Sequence, residues 1–228
     1  MKKISILQSN YIPWRGYFEI ISQSDIFVVY DTVQYTKNDW RNRNKILTNS
    51  GVQWLTVPVK HKNLSQEINS IEINNKIWSK KHWKTIEQNY KKSNFFEEYH
   101  DNFKNIYNQE WKYLSDLNIT LIKAVNKCLD IKTEIVNSRD LDIKVSNSRN
   151  QKLINICNHF DANLYISGPA AKDYLEEKEF KRNSIEIKWM DYSKYKSYQH
   201  KSELNYENLS VLDLIFNLGP NAKKHITL

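Results

Sequence analysis

"KISILQSNYIPWRGYFEIISQSDIFVVYD", residues 3–31, decides the fold. Residues 3–8 alternate like a strand, a turn follows at 9–15, and residues 16–23 place Tyr17, Phe18 and Ile21 on one face of a helix. "DIFVVYD", 25–31, is a short apolar run ended by charge on both sides, as suits a strand covered on both faces of a parallel sheet. Strand, helix and strand within about thirty residues make a βαβ unit with a right-handed crossover.

Working outward, "TVQYTKNDWRNRNKI", 32–46, lacks clear periodicity and reads as a polar loop. "VQWLTVPV", 52–59, reads as a strand whose end Pro58 places at an edge, and "SIEIN", 70–74, as a short alternating strand. From 77 to 130 the period becomes helical. Trp78, His82, Ile86 and Tyr90 form one stripe, Phe95, Tyr99, Phe103 and Ile106 a second, and Leu114, Leu117, Leu121, Val125 and Cys128 a third. Helix and strand then alternate again. "SRNQKLINICNHF" starts at Ser148 as N-cap, "ANLYISG" and "SIEIKWM" are strands, and "PAAKDYLEE" is a helix opened by Pro169. "SVLDLIFNLG" runs from Ser210 as N-cap to Gly219 as stop. The expected fold is α/β, a mostly parallel open sheet with helices on both faces. Residues 1–76 and 131–228 form its ligand-binding core, 77–130 are a helical insertion or lid, and the whole is one compact domain.

Composition narrows the class. The 228 residues are 40% hydrophobic and 26% charged, with a formal net charge of +8. No apolar run is long enough to cross a bilayer, so membrane insertion is not expected. The start "MKKISILQSN" lacks a long apolar stretch and a cleavage site and reads as a strand, not a signal peptide. Two cysteines, Cys128 and Cys157, each among apolar neighbours, argue against a disulfide framework or zinc site, and the cytoplasm is the expected location. No HExxH, GxGxxG, Walker or GxSxG pattern occurs, so no metal ligand set is expected. The lysines are spread along the chain, and AT-rich coding produces the same Lys, Asn and Ile excess. The positive balance therefore stays open between a coding bias and an anionic partner.

Two loops at the carboxyl ends of the first strands carry the candidate chemistry, since open α/β sheets bind ligands there. In the first, Gln8, Tyr11, Trp14, Arg15, Gly16 and Tyr17 precede a helix whose N–H groups suit phosphate; the alternative is core aromatics and a solvated arginine. In the second, Asp31 ends the strand, and Gln34, Tyr35, Lys37, Trp40, Arg41, Asn42, Arg43 and Lys45 follow. Clustered cations disfavour one another unless an anion neutralises them, and Arg41 and Arg43 can each grip a phosphate or carboxylate with two hydrogen bonds. The alternative is an exposed basic loop. Ser167 and Gly168 offer a third turn, a backbone cradle or a simple cap. His82 and Asp31 are candidate bases, with His61 a rival and a structural histidine the alternative.

At "QSNYIPWRGYFEII", "DTVQYTKNDWRNRNKI", "WLTVPV", "WSKKHWKTIEQNY", "YISGPAAKDYL" and "LSVLDLIFNLG", in that order, the chain resembles the WbqC-like family over nearly its whole length. That family is bacterial and is encoded among genes for O-antigen and other surface polysaccharides, lipopolysaccharide included. The resemblance implies an N-acyltransferase, moving a glycyl, aminoacyl or other acyl group to the amine of a nucleotide-linked amino sugar. In this reading Arg15, Arg41 and Arg43 meet the pyrophosphate and Trp14, Tyr11 or Trp40 stacks on base or sugar. His82 or Asp31 is the base, and backbone N–H groups or a side chain such as Asn42 hold the oxyanion. No bound cofactor is expected. The acyl donor is an acyl carrier protein thioester, an acyl-CoA or an aminoacyl-tRNA, and a carrier protein or charged tRNA is an expected partner. The first βαβ is also similar to that of the HUP-like nucleotidylyltransferase and pantothenate synthetase superfamily. Gly16 matches its glycine, while Trp14 and Tyr17 replace its two histidines. The alternatives are thus a nucleotidylyltransferase-like enzyme acting on a small phosphorylated substrate, or a non-catalytic nucleic-acid-binding protein.

Overall fold

The computed structural model describes residues 1–63, 65–143, 146, 148–195, 197–198 and 208–226. The opening stretch forms β1 (Lys3–Leu7), α1 (Arg15–Ser22) and β2 (Ile26–Val29). A hairpin follows, β3 (Arg43–Thr48) with β4 (Gly51–Thr56), then a short pair, β5 (Val59–Lys60) with β6 (Glu72–Ile73). The helical block is three helices, α2 (Ile77–Tyr90), α3 (Phe96–Tyr107) and α4 (Leu114–Cys128). Then come β7 (Glu134–Asn137), α5 (Arg149–His159), β8 (Leu164–Ser167), α6 (Glu177–Arg182), β9 (Glu186–Trp189) and α7 (Val211–Leu218).

Five strands form one parallel sheet in the order β7-β2-β1-β8-β9. Ile4 lies opposite both Ile26 and Tyr165, so β1 is the central strand. Alternation sends Ile4, Ile6, Ile26 and Val28 to one face, where they pack with Leu153, Ile154 and Cys157 of α5 and Phe180 of α6. Phe27, Val29 and Ile166 face the other way, into a larger core shared with α1, α2, α3, α4 and α7. The helical block therefore contributes to the same core as the first βαβ unit. Among the described residues no helix is long and apolar enough to cross a membrane.

Several details differ from the sequence reading. The loop expected at 32–46 contains the start of β3, because its alternation of Arg43, Asn44, Lys45 and Ile46 is a strand with a cationic outer face. The strand expected at 52–59 ends at Thr56 and pairs antiparallel with β3, outside the main sheet. The helix expected at 169–177 opens at Pro169 only as a 3-10 turn, Pro169–Asp173, and α6 starts separately at Glu177. The caps hold: Ser148 accepts from Gln151 N–H at 3.3 Å and Ser210 from Leu212 N–H at 3.3 Å. Gly219 has φ +52, and a Cβ there would lie 2.3 Å from the Phe95 ring, so only glycine ends α7 this way.

Candidate functional site

The chain leaves β1 toward β2 on one side and returns to β8 on the other, so the carboxyl ends of β1 and β8 flank the topological switch point. The turn after β1 is held on all sides. Tyr11 N–H donates to Trp40 O at 3.0 Å, and Val211 N–H donates to Pro13 O at 2.8 Å. Asn44, 1% exposed, donates to Tyr11 O at 3.1 Å and Ile12 O at 2.8 Å while its Oδ1 accepts from Lys45 N–H at 2.7 Å. Those bonds fix Ile12 at φ 37, a left-handed conformation that a β-branched residue adopts only under strain.

Beside this turn lies a cleft of about 240 Å³ lined by Asn10, Pro13, Trp14, Trp40, Asn44 and Asn208. Both predicted loops contribute, and so does the approach to α7. At its rim Arg41 donates from Nη1 to Asn10 Oδ1 and from Nη2 to Gln8 Oε1 at 2.9 Å, with Asp39 3.7 Å away. Each contact joins one guanidinium N–H to one amide oxygen, which fixes the planes of the Gln8 and Asn10 side chains around Arg41. Arg41, Gln8 and Asn10 thus form a polar recess in which Asp39 offsets part of the Arg41 charge, and a guanidinium there can grip an anion. Burial pushes the Asp39 carboxyl up, but Arg41, the Thr36 hydroxyl, the Trp40 N–H and Arg43 outweigh it and hold the acid ionised, below the usual carboxylate range.

The other predicted residues are distributed around this recess. Gly16 lies under Trp14: a Cβ there would sit 2.4 Å from the indole, which explains the glycine. Trp14 meets Tyr192 and Tyr195 edge-on at 4.9 and 5.8 Å, and Tyr192 reaches toward Gly168. Arg15 stacks over Tyr195 at 4.1 Å and lies 5.8 Å from the Tyr198 ring. Tyr17 is buried and donates to Gln8 O at 3.0 Å, bracing the end of β1. Tyr35 is buried against His61, and burial pushes its hydroxyl up to about 12. Gln34 bridges to Glu67, and Lys37 is exposed on its loop. Asn42 donates to Val57 O at 2.9 Å. Ser167 is buried at the end of β8, where its carbonyl accepts from Met190 N–H, and Gly168 O accepts from Ala171 N–H, closing a 3-10 turn. Arg43 and Lys45 lie on the outer face of the hairpin, over Trp54.

The two candidate bases do not line the cleft. Asp31 is fully buried and accepts from Ser9 N–H at 2.8 Å and from the Ser115 hydroxyl of α4 at 2.5 Å. Burial raises its pKa, and the hydroxyl and N–H donors moderate the rise. His82, 8% exposed, shares a bond with the Tyr11 hydroxyl through Nδ1 at 2.8 Å, and Tyr11 in turn bonds Tyr107 at 2.6 Å. Burial lowers the imidazole pKa to about 4, against a smaller opposing effect of a backbone hydrogen bond with Thr56. Sequence reasoning passed over Asn10, Asn44 as a clamp, Trp54, Tyr192 and Tyr195. Asn10 stood within the quoted turn, whereas the others gain their roles only from chain-distant contacts.

A chain from Mycobacterium tuberculosis (strain ATCC 25618 / H37Rv), named "Uncharacterized protein Rv1507c", is 42% identical over 228 residues, spanning 99% of this chain and 98% of that one. No solved structure matches the sequence. The model of the WbqC-like protein family matches residues 8–225, a span that holds the recess, the cleft and the hairpin. The chain belongs to the WbqC-like protein family.

Proposed function

We propose that this protein is an N-acyltransferase that acylates the amine of a nucleotide-linked amino sugar during synthesis of a bacterial surface polysaccharide. One observation carries the reading: Arg41, held by the amide oxygens of Gln8 and Asn10, sets a guanidinium beside a cleft at the carboxyl end of the central strand. Family membership supports it.

The sugar ring occupies the cleft between Trp14 and Trp40, and its neutral amine attacks the carbonyl carbon of the acyl donor. A C–N bond forms, the carbonyl oxygen takes up negative charge, and the Arg41 guanidinium holds it. Collapse breaks the bond to the carrier's sulfur or oxygen, and the leaving group departs with the proton lost by the nitrogen. In this reading His82 and Asp31 are positioning residues: His82 holds Tyr11, and Asp31 ties the β1 turn to α4.

The test is a mass-spectrometric transfer assay with carrier-protein thioesters, acyl-CoA and aminoacyl-tRNA as donors and a panel of nucleotide-linked amino sugars as acceptors. One pairing should yield an amide, and Arg41→Gln should depress its kcat by about 10²-fold or more, as loss of an oxyanion donor does. Absence of product with every donor, or a fully active Arg41→Gln enzyme, refutes the assignment.

A further inference from the structure

The β3–β4 hairpin has one face turned inward, with Asn44, Ile46 and Leu55 buried, and one turned to solvent. A solvated ribbon face ordinarily carries polar side chains. Here it carries Trp54, 40% exposed, directly opposite Lys45 in the register. Trp40, 38% exposed, leans on Trp54 with ring centres 5.4 Å apart. The Arg43 guanidinium lies 4.5 Å above the Trp54 ring, and the Lys45 ammonium 5.0 Å from Trp54 and 5.8 Å from Trp40. Among the described residues Lys45 has no carboxylate within ion-pair distance, while Arg43 donates from Nη2 to Asn38 O and its Nε is buried.

Two further facts locate an occupant. Trp40 also lines the cleft, so the aromatic strip continues directly from it. The cleft, about 240 Å³, is below the roughly 300–1,000 Å³ of common ligand pockets, so a nucleotide-linked sugar seated in it extends beyond it. A group leaving the cleft over Trp40 passes onto two flat indoles flanked by two cations, the combination that takes up a base and its phosphates.

We propose that this outer face is the nucleotide subsite of the acceptor. The base stacks on Trp54 and Trp40, Lys45 swings from the rings to the diphosphate, and Arg43, held by Asn38 O, adds positive charge beside it. The inference rests on the acceptor reading above and adds the residues that select its nucleotide.

Calorimetric titration with uridine, thymidine, guanosine and adenosine diphosphates tests it without acyl transfer. At least one should bind the wild type at micromolar concentration. Trp54→Ala should weaken that binding about tenfold or more, the range for loss of one base stack. Trp54→Phe should restore most of it, which separates stacking from any disturbance of the hairpin. Lys45→Gln should flatten the salt dependence, and the remote Lys123→Gln should change nothing. Failure of every diphosphate to bind, unchanged affinity in Trp54→Ala, or binding of coenzyme A or a single-stranded oligonucleotide in their place overturns the subsite. The acyl-transfer assay fails separately. Diphosphate binding lost in Trp54→Ala, with no amide product, refutes the reaction and leaves the subsite. Equal acylation of a base-free amino-sugar phosphate, with no diphosphate binding, refutes the subsite and leaves the reaction.

Discussion

His82 offers the sharpest quantitative test, because its burial makes a statement about stability and about chemistry at once. In the folded chain its imidazole protonates at about 4, against 6.5 for the free side chain. Between those values the unfolded chain takes up a proton that the folded chain refuses. Stability from this group is therefore complete above the unfolded value and falls as the pH drops from 6.5 toward 4. At about 1.4 kcal/mol per pH unit the interval amounts to roughly 3 kcal/mol, of which about 2 kcal/mol disappears between pH 7 and pH 5. Urea unfolding of the wild type and of His82→Gln, measured at both pH values, isolates the contribution. Glutamine can still accept the Tyr11 hydroxyl but does not titrate. The wild type should lose about 2 kcal/mol more than the variant on acidification. Parallel losses would mean that His82 is hydrated and titrates normally, and the enclosed Tyr107–Tyr11–His82 chain would be wrong. The same burial leaves His82 neutral and enclosed at pH 7, so a kcat profile controlled by a group near 6.5 would restore it as the general base.

Other outcomes follow from the clamp and the turn. Asn44→Ala should leave two buried carbonyls and one N–H without partners and cost roughly 2–4 kcal/mol in urea unfolding, with loss of transfer activity. Gly16→Ala should press a methyl into the Trp14 indole, cost about 1–3 kcal/mol and alter the near-ultraviolet circular dichroism; an unchanged melting temperature would show that Trp14 moves freely.

The βαβ start and the helical block were legible because their periods are long and their buried faces clean. β7 escaped notice: it has four residues at the sheet edge, half-exposed, and its alternation is weak. β3 was hidden because Arg43 and Lys45 occupy its outward positions and a cationic face mimics a loop. The two candidate loops were recognisable from their mixture of aromatic, amide and cationic residues at strand ends. Their internal division was not. Tyr11, Trp14, Arg15 and Arg41 look alike as members of polar-aromatic loops, yet one enters the core, one walls the cleft, one stacks on Tyr195 and one is clamped by amides.

Local sequence determined what depends on neighbours along the chain: which segments are strands or helices, where they are capped, and which loops leave the carboxyl ends. Tertiary structure decided what depends on partners far away in sequence. It set the amide oxygens that clamp Arg41, the burial that keeps His82 neutral, and the meeting of Trp40 with Trp54. Hydrogen-bond direction and desolvation are properties of the surroundings, and those surroundings exist only once α4, α7 and the hairpin have closed on the first turn.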